Sequence, residues 1–171
     1  LDRTDEALSV LDEAIQTLPD AQNLLWLKAS YEEQAGNIEN AIAIYQELYE
    51  RESNSAIVAN NLASLITSYR DNDEDLQRAN IIVRRLKDTK VPAFQDTYGW
   101  IAFRMGRAEE AVDYLRSAAA ALTNDPLVRE HYGTTLAALG RAEEAAAEFQ
   151  AAMDLVPEDR VEQRSRLEAA L

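Results

Sequence analysis

Among side chains that carry acid–base, nucleophilic or metal chemistry, this sequence offers many carboxylates and little else. His131 is the only histidine, and there is no cysteine. A His-pair metal site, a thiolate zinc site, an iron–sulfur cluster, a disulfide framework and a cysteine nucleophile are all excluded. Asp71, Asp73, Glu74 and Asp75 crowd together as calcium ligands do. The turn glycine and terminal glutamate of a calcium loop are missing, so a solvated turn is the better reading. Glu109–Glu110 and Glu143–Glu144 are sequence neighbours, which on a helix point apart and cannot share a proton. No Gly-rich phosphate loop and no Gly-x-Ser-x-Gly turn occurs. His131, beside Glu130, reads as a structural or groove-lining residue. The sequence implies no enzyme, no metal and no cofactor.

The carboxylates also say what the chain avoids. Thirty-one acidic against 17 basic side chains leave a net charge of −14 over 171 residues. Such a surface repels phosphate backbones and anionic membranes, so a nucleic-acid partner is not expected. Hydrophobic residues make up 47% of the chain, too many for a disordered acidic tail. The longest largely apolar run, 117–122, is Ala-rich, opens on Ser117 and is far short of the roughly 18–20 residues that cross a bilayer, so this segment is not expected to insert in a membrane. Zero cysteine suits a bacterial cytoplasm and a periplasm equally. The chain opens on Leu1, partway through a repeating unit, and is expected to be the C-terminal piece of a longer polypeptide.

The elements that position these residues repeat. Gly-Arg-Ala-Glu-Glu-Ala occurs at Gly106–Ala111 and again at Gly140–Ala145, an offset of 34. The same offset links Tyr98 with Tyr132, Gly99 with Gly133, Leu115 with Phe149, Ala7 with Ala41 and Leu11 with Tyr45. In the middle of the chain Ala79, Val83 and Leu86 keep the spacing of Ala111, Leu115 and Ala118, displaced by an insertion at Arg70–Asp75 that suits a longer turn. Apolar residues recur at three- and four-residue steps, as in Phe94, Tyr98, Ile101, Ala102 and Met105. Gly36, Gly106 and Gly140 stand where a helix C-cap needs φ > 0, and Pro92 and Pro126 at first-turn positions. Ten helices are predicted, near 4–17, 23–35, 38–51, 56–69, 75–87, 92–104, 108–121, 126–138, 142–155 and 158–170. The fold class is an all-α solenoid.

A 34-residue helix–turn–helix period with these residues resembles the tetratricopeptide repeat (TPR). Its marks here are a small residue in the first helix (Ala29, Ala63, Gly99, Gly133), Gly in the turn, and Ala, a large apolar residue and a small one in the second helix. Pro19 and Pro157 stand at repeat ends. The resemblance covers essentially the whole chain and implies one right-handed solenoid of antiparallel helix pairs. Its parts are the second helix of a truncated repeat (1–20), full repeats at 21–54, 55–91, 92–125 and 126–157, and a capping helix at 158–171. Asn60-Asn61-Leu62-Ala63, followed by Asp96-Thr97-Tyr98-Gly99-Trp100, looks like the last repeats of many bacterial TPR proteins, envelope and exopolysaccharide-system members included. Lys28 and Glu32 depart from the pattern, occupying slots that are apolar in other repeats. At i, i+4 they are placed to pair with each other, and the first full repeat is expected to pack loosely or rotate its helix.

In TPR-like solenoids the first helices line the concave side, and equivalent positions stack in rows. One row is Trp26, Asn60, Asp96 and Glu130; the next is Ser30, Ser64, Trp100 and Thr134; Arg104 and Phe103 follow. The resemblance therefore implies a groove for a peptide or protein segment, with Trp26, Asn60, Ser64, Asp96, Trp100, Phe103, Arg104 and Glu130 as candidate contacts. Trp and Arg are the usual anchors of such surfaces. Two readings of the tryptophans stay open, groove anchors or packing between helices; Asn60 and Asp96 are better read as hydrogen-bonding bridges between repeats. Arg104 is the only cation in these rows, which argues against a basic clamp for a peptide carboxylate and for a partner with basic character. The rival reading is a structural module that self-associates into a homo-oligomer within a larger bacterial envelope or assembly protein.

Overall fold

Apolar periods of three and four residues become helices in the computed structural model, which describes residues 3–18, 20–51 and 54–171. Leu1 and Pro19 lie outside the described residues. In chain order the helices are α1 (Arg3–Thr17), α2 (Gln22–Gln34), α3 (Ile38–Arg51), α4 (Ala56–Tyr69), α5 (Asp73–Val83), α6 (Pro92–Arg104), α7 (Ala108–Ala121), α8 (Pro126–Ala138), α9 (Ala142–Leu155) and α10 (Val161–Ala170). A 3₁₀ turn, Arg84–Leu86, follows α5. No strand occurs among the described residues, and the class is all-α.

Short-range chemistry sets the boundaries. Ser55 caps α4 by accepting from the Val58 amide (3.4 Å), and Asp125 caps α8 through the amides of Leu127 and Val128 (3.0 and 3.3 Å). Pro92 and Pro126 occupy the first turns of α6 and α8, where a missing N–H leaves nothing unsatisfied. Helices α2, α6 and α8 end alike, with Gly36, Gly106 and Gly140 at φ 79, 78 and 74°. The following amide reaches back to the last turn each time, Asn37 to Glu32 O (2.8 Å), Arg107 to Ala102 O (2.9 Å) and Arg141 to Leu136 O (3.0 Å). This six-residue closure satisfies the orphan carbonyls and turns the chain into the next helix.

Packing follows from small residues facing large ones. A Cβ on Gly99 would lie 2.8 Å from Leu115 Cγ, and one on Gly133 would lie 2.7 Å from Phe149 Cε1. The missing methyl is what lets α6 close on α7 and α8 on α9. Ala29, Ala63, Ala41, Tyr45, Leu48, Ala111, Ala118, Ala145 and Ala152 are likewise buried. The chain divides into two compact units, residues 1–82 and 83–171. In the first, α1 packs on α2, α2 on α3 and α3 on α4; in the second, α6 through α10 pack in sequence, and α6 also meets α8.

Four expectations need correction. Lys28 and Glu32 do not pair with each other. Lys28 Nζ reaches Asp12 on α1 (2.6 Å), while the buried Glu32 carboxylate accepts from Asn37 Nδ2 (2.8 Å) and Asn40 Nδ2 (3.4 Å). Lys28 is thus ion-paired and the buried Glu32 carboxylate hydrogen-bonded by groups outside their own helix. The insertion is a short link rather than a long turn. Asn72 Oδ1 accepts from the Asp75 amide (2.9 Å) and starts α5 at Asp73, so Asp73, Glu74 and Asp75 form its first turn and complement its dipole. The α-helix expected to reach residue 87 stops at Val83 and tightens to 3₁₀ through Lys87 N–H to Arg84 O (3.4 Å). The last helix begins at Val161 because Pro157 cannot extend α9, and Arg160 N–H closes a turn on Pro157 O (3.1 Å) first.

Candidate functional site

In the second unit, Asp96, Trp100, Phe103 and Arg104 share one face of α6, being four, seven and eight residues apart. Asp96 accepts from His131 Nδ1 on α8 (3.0 and 3.2 Å to its two oxygens), which assigns the ring hydrogen to Nδ1. The fixed imidazole lies against Trp100, with ring centroids 4.1 Å apart and planes within 12°. Trp100 also stacks with Phe103, centroids 5.3 Å apart and planes at 20°. His131 is buried, whereas Trp100 and Phe103 are half-buried. The result is three near-parallel rings, oriented from one end by a carboxylate. Among the described residues no three His, Cys, Asp or Glu side chains group as metal ligands, and the rings present a flat, partly exposed aromatic surface.

Glu130 stands next to His131 but faces another neighbour. Its carboxylate accepts from Arg166 Nε (3.0 Å) and Nη2 (3.4 Å) and from Gln163 Nε2 (3.1 Å), all on α10. The same helix returns Arg164 Nη1 to the carbonyls of Val156 (2.9 Å) and Met153 (3.4 Å), closing the end of α9. Arg104 sits half-buried in the last turn of α6. Elsewhere on α6, Tyr98 Oη donates to Glu110 Oε1 on α7 (2.7 Å), and Arg107 Nη1 donates to the other oxygen (2.8 Å). Burial, then the adjacent carboxylate, pushes the Tyr98 hydroxyl up to about 12. That hydrogen bond, with Arg107 and Lys87 nearby, holds the Glu110 carboxyl below its ordinary value.

The first unit arranges its candidates differently. Trp26 on α2 is 40% exposed and forms one wall of a pocket shared with Leu48, Ile57 and Val58. Asn60 is buried; its Nδ2 reaches Asn61 Oδ1 (3.4 Å), and its Oδ1 is sealed from solvent with no donor. The bridge to the preceding helix comes from its neighbour, where Asn61 Nδ2 donates to Tyr45 Oη on α3 (3.2 Å). Ser64 is half-buried, and its carbonyl accepts from Thr67 Oγ1 (3.2 Å). Burial pushes the Glu33 carboxyl up, although much of the residue is exposed.

In sequence His131 stands beside the candidate Glu130, and by type alone nothing marks it as the residue that joins Asp96 to Trp100. The signal is the repeat offset itself. Adjacent first helices meet at residues 33 to 36 apart, as in Asp96–His131, Glu130–Gln163 and Glu130–Arg166. A second helix meets the first helix of the following repeat at 16 apart, as in Tyr45–Asn61 and Arg116–Tyr132.

Comparison with known proteins agrees with this architecture. TTC0263, a thermophilic TPR protein of Thermus thermophilus, superposes with a TM-score of 0.68 at 20% identity, over 98% of this chain and 90% of that one. YrrB, described as a TPR protein with an unusual peptide-binding site, gives 0.62 at 20% identity over 93% and 82%. MamA from Desulfovibrio magneticus RS-1 gives 0.69 at 13% identity over 89% and 85%. At these identities the likeness is one of fold. No curated protein sequence matches the chain. The sequence profile of the tetratricopeptide repeat matches residues 1–56 and 98–160. With the repeated helix pairs, turn glycines and small-to-large packing described above, that match places the chain in the tetratricopeptide repeat family, whose fold is that of a protein-interaction scaffold.

Proposed function

We propose that the chain is a non-enzymatic scaffold that takes a peptide or protein segment on the first helices of its repeats. In the second unit the contacts are Trp100, Phe103 and Arg104, with Asp96 and Glu130 behind them; in the first they are Trp26, Asn60 and Ser64. The ring set Phe103–Trp100–His131 carries this reading. Half-buried aromatic rings already held in place lose little conformational freedom when a ligand covers them, and each can contribute roughly 1–3 kcal/mol of apolar burial. Asp96 acts as a positioning residue, because its hydrogen bonds fix the imidazole on which Trp100 rests.

Asp96 and Glu130 already hold His131 and Arg166, so a basic partner draws little from either acid in the second unit. Apolar content is the better description of what this face selects. Peptides selected on the wild-type chain from a random library should be rich in aliphatic and aromatic residues. On binding they should move the amide resonances of α6 and α8. Selection of peptides that shift only α7, α9 or the inter-helix turns would set this reading aside.

Self-association is the second reading, favoured by Val10 and Leu18, which are 65% and 60% exposed in and just after α1. Val10→Ser with Leu18→Ser should then lower the mass seen by sedimentation while leaving peptide binding at α6 unchanged.

A further inference from the structure

The first unit carries an apolar pocket whose lining says what would fill it. Buried Leu48 of α3 and Val58 of α4 form its floor; Trp26, 40% exposed, and Ile57, 54% exposed, form its walls; Asn23 and Ser55 lie at the rim. The space is about 330 Å³ and open to solvent on one side. That is ample for one large aliphatic or aromatic side chain, and small for a folded domain. The walls it would cover, Trp26 and Ile57, now expose apolar surface, so occupancy is favoured by burial alone.

The pocket lining is itself uncharged, so the net charge of the unit that holds it sets the preference for the ligand's flanks. Residues 1–82 carry 16 acidic and five basic side chains, a net of −11, whereas residues 83–171 carry 15 and 12, a net of −3 with His131 neutral. The acidity of the whole chain is therefore concentrated in the unit that holds the pocket. Three of that unit's five cations are already committed: Lys28 to Asp12, Arg51 to Glu47, and Arg70 to Glu39 and Asp75. The remaining carboxylates have no internal cations to match them in number. A field of this sign attracts cationic segments and repels acidic peptides, nucleic acids and anionic lipid. A second copy of the chain docking through the same face would bring its own first unit, also at −11, against this one.

We infer that the pocket formed by Trp26, Leu48, Ile57 and Val58 is a docking site for a basic peptide, which buries one large apolar side chain there and sets its cationic flanks against the acidic first unit. This rests on the reading of the chain as a peptide-binding scaffold, and it names a subsite and a ligand chemistry separate from the aromatic rings of the second unit.

The test uses the full chain carrying Trp100→Phe, which leaves Trp26 as the sole tryptophan. The probe is a short synthetic peptide of lysines around a central leucine. Matched peptides replace the leucine by serine or the lysines by glutamates. The lysine–leucine peptide should shift Trp26 emission to the blue, saturably and more weakly at high salt. Affinity should fall about tenfold or more for the serine peptide and, equally, for Ile57→Ser. The glutamate peptide should not bind. Asn23→Lys at the rim should weaken the lysine peptide without touching the pocket floor, which guards against an Ile57 variant that perturbs the fold.

Equal binding by wild type and Ile57→Ser would overturn the inference. So would a sedimenting dimer that Ile57→Ser dissolves, since the occupant would then be a second copy. A silent Trp26 together with library-selected peptides that bind at α6 would overturn this subsite alone. Absence of binding at either place would overturn the scaffold reading with it.

Discussion

Substituting Gly133 by alanine sets two effects of known size against each other. Glycine to alanine inside a helix ordinarily gains about 1 kcal/mol from backbone entropy. Here the new Cβ would sit 2.7 Å from Phe149 Cε1, 2.9 Å from Cδ1 and 3.3 Å from Cζ, where ordinary contact begins at 3.4 Å. The ring would have to retreat by about 0.7 Å, yet Phe149 is buried between α8 and α9. Overpacking of this kind costs about 1–3 kcal/mol, and two ring atoms under 3.0 Å place it in the upper half. The expected net is a loss of about 1–2 kcal/mol. Urea unfolding followed by far-UV circular dichroism measures it, with hydrogen exchange on α8 and α9 as the local check. Phe149→Leu shortens the wall, so in that background Gly133→Ala should turn neutral or stabilising. Gly140→Ala is the control, because its residue sits at φ 74° with nothing within 4 Å of a Cβ. It should cost about 1–2 kcal/mol, and Phe149→Leu should not relieve it. An alanine at 133 that stabilises the wild-type chain, or a loss undiminished by Phe149→Leu, would refute the small-against-large account of the packing.

Further predictions follow from the polar contacts. Tyr98 has its pKa raised to about 12, above its unfolded value, so the Tyr98–Glu110 contribution should be intact below about pH 10 and lost between there and about 12. Ultraviolet titration of tyrosinate should show Tyr98 titrating late, along with Tyr45 and Tyr114, whose burial also raises them, and Tyr98→Phe should remove its step at a cost of about 1.5–3 kcal/mol at neutral pH. Glu110 has the opposite sign: its folded pKa is lowered, so its contribution should persist above the ordinary carboxylate range and fade as pH falls through it. Thermal unfolding of the wild type and Glu110→Gln across the acid range checks this, and curves that stay parallel would contradict it. Asn60 Oδ1 is sealed without a donor, so Asn60→Leu should leave unfolding stability unchanged or raise it by about 1 kcal/mol, as urea denaturation would show.

The fold was legible wherever local chemistry and repetition agree. Gly36, Gly106 and Gly140 announce their left-handed caps because almost no other residue serves there, and Gly99 and Gly133 announce close helix contacts. The bounds of the fifth helix are not legible in the sequence because its start depends on one Asn72 side chain and its end on a switch to 3₁₀ bonding, neither of which has an apolar period. Lys28 and Glu32 looked like a pair because only their own helix was in view, while their partners Asp12, Asn37 and Asn40 come from elements packed beside it. The same limit applied to the candidate site. Trp100 and Phe103 stand out by type and spacing, but the His131 ring and the Arg166 hold on Glu130 become visible only when a residue is paired across neighbouring first helices.

The affinity of a library-selected peptide for the wild type and for Trp100→Ala with Phe103→Ala tests the central claim most directly. It is to be measured by fluorescence anisotropy, with circular dichroism and sedimentation run on the same samples. The aromatic face predicts binding at least a hundredfold weaker in the double variant, about 2.7 kcal/mol, with helicity and mass unchanged. Undiminished affinity in a folded double variant would contradict the placement of the ligand on α6 and α8.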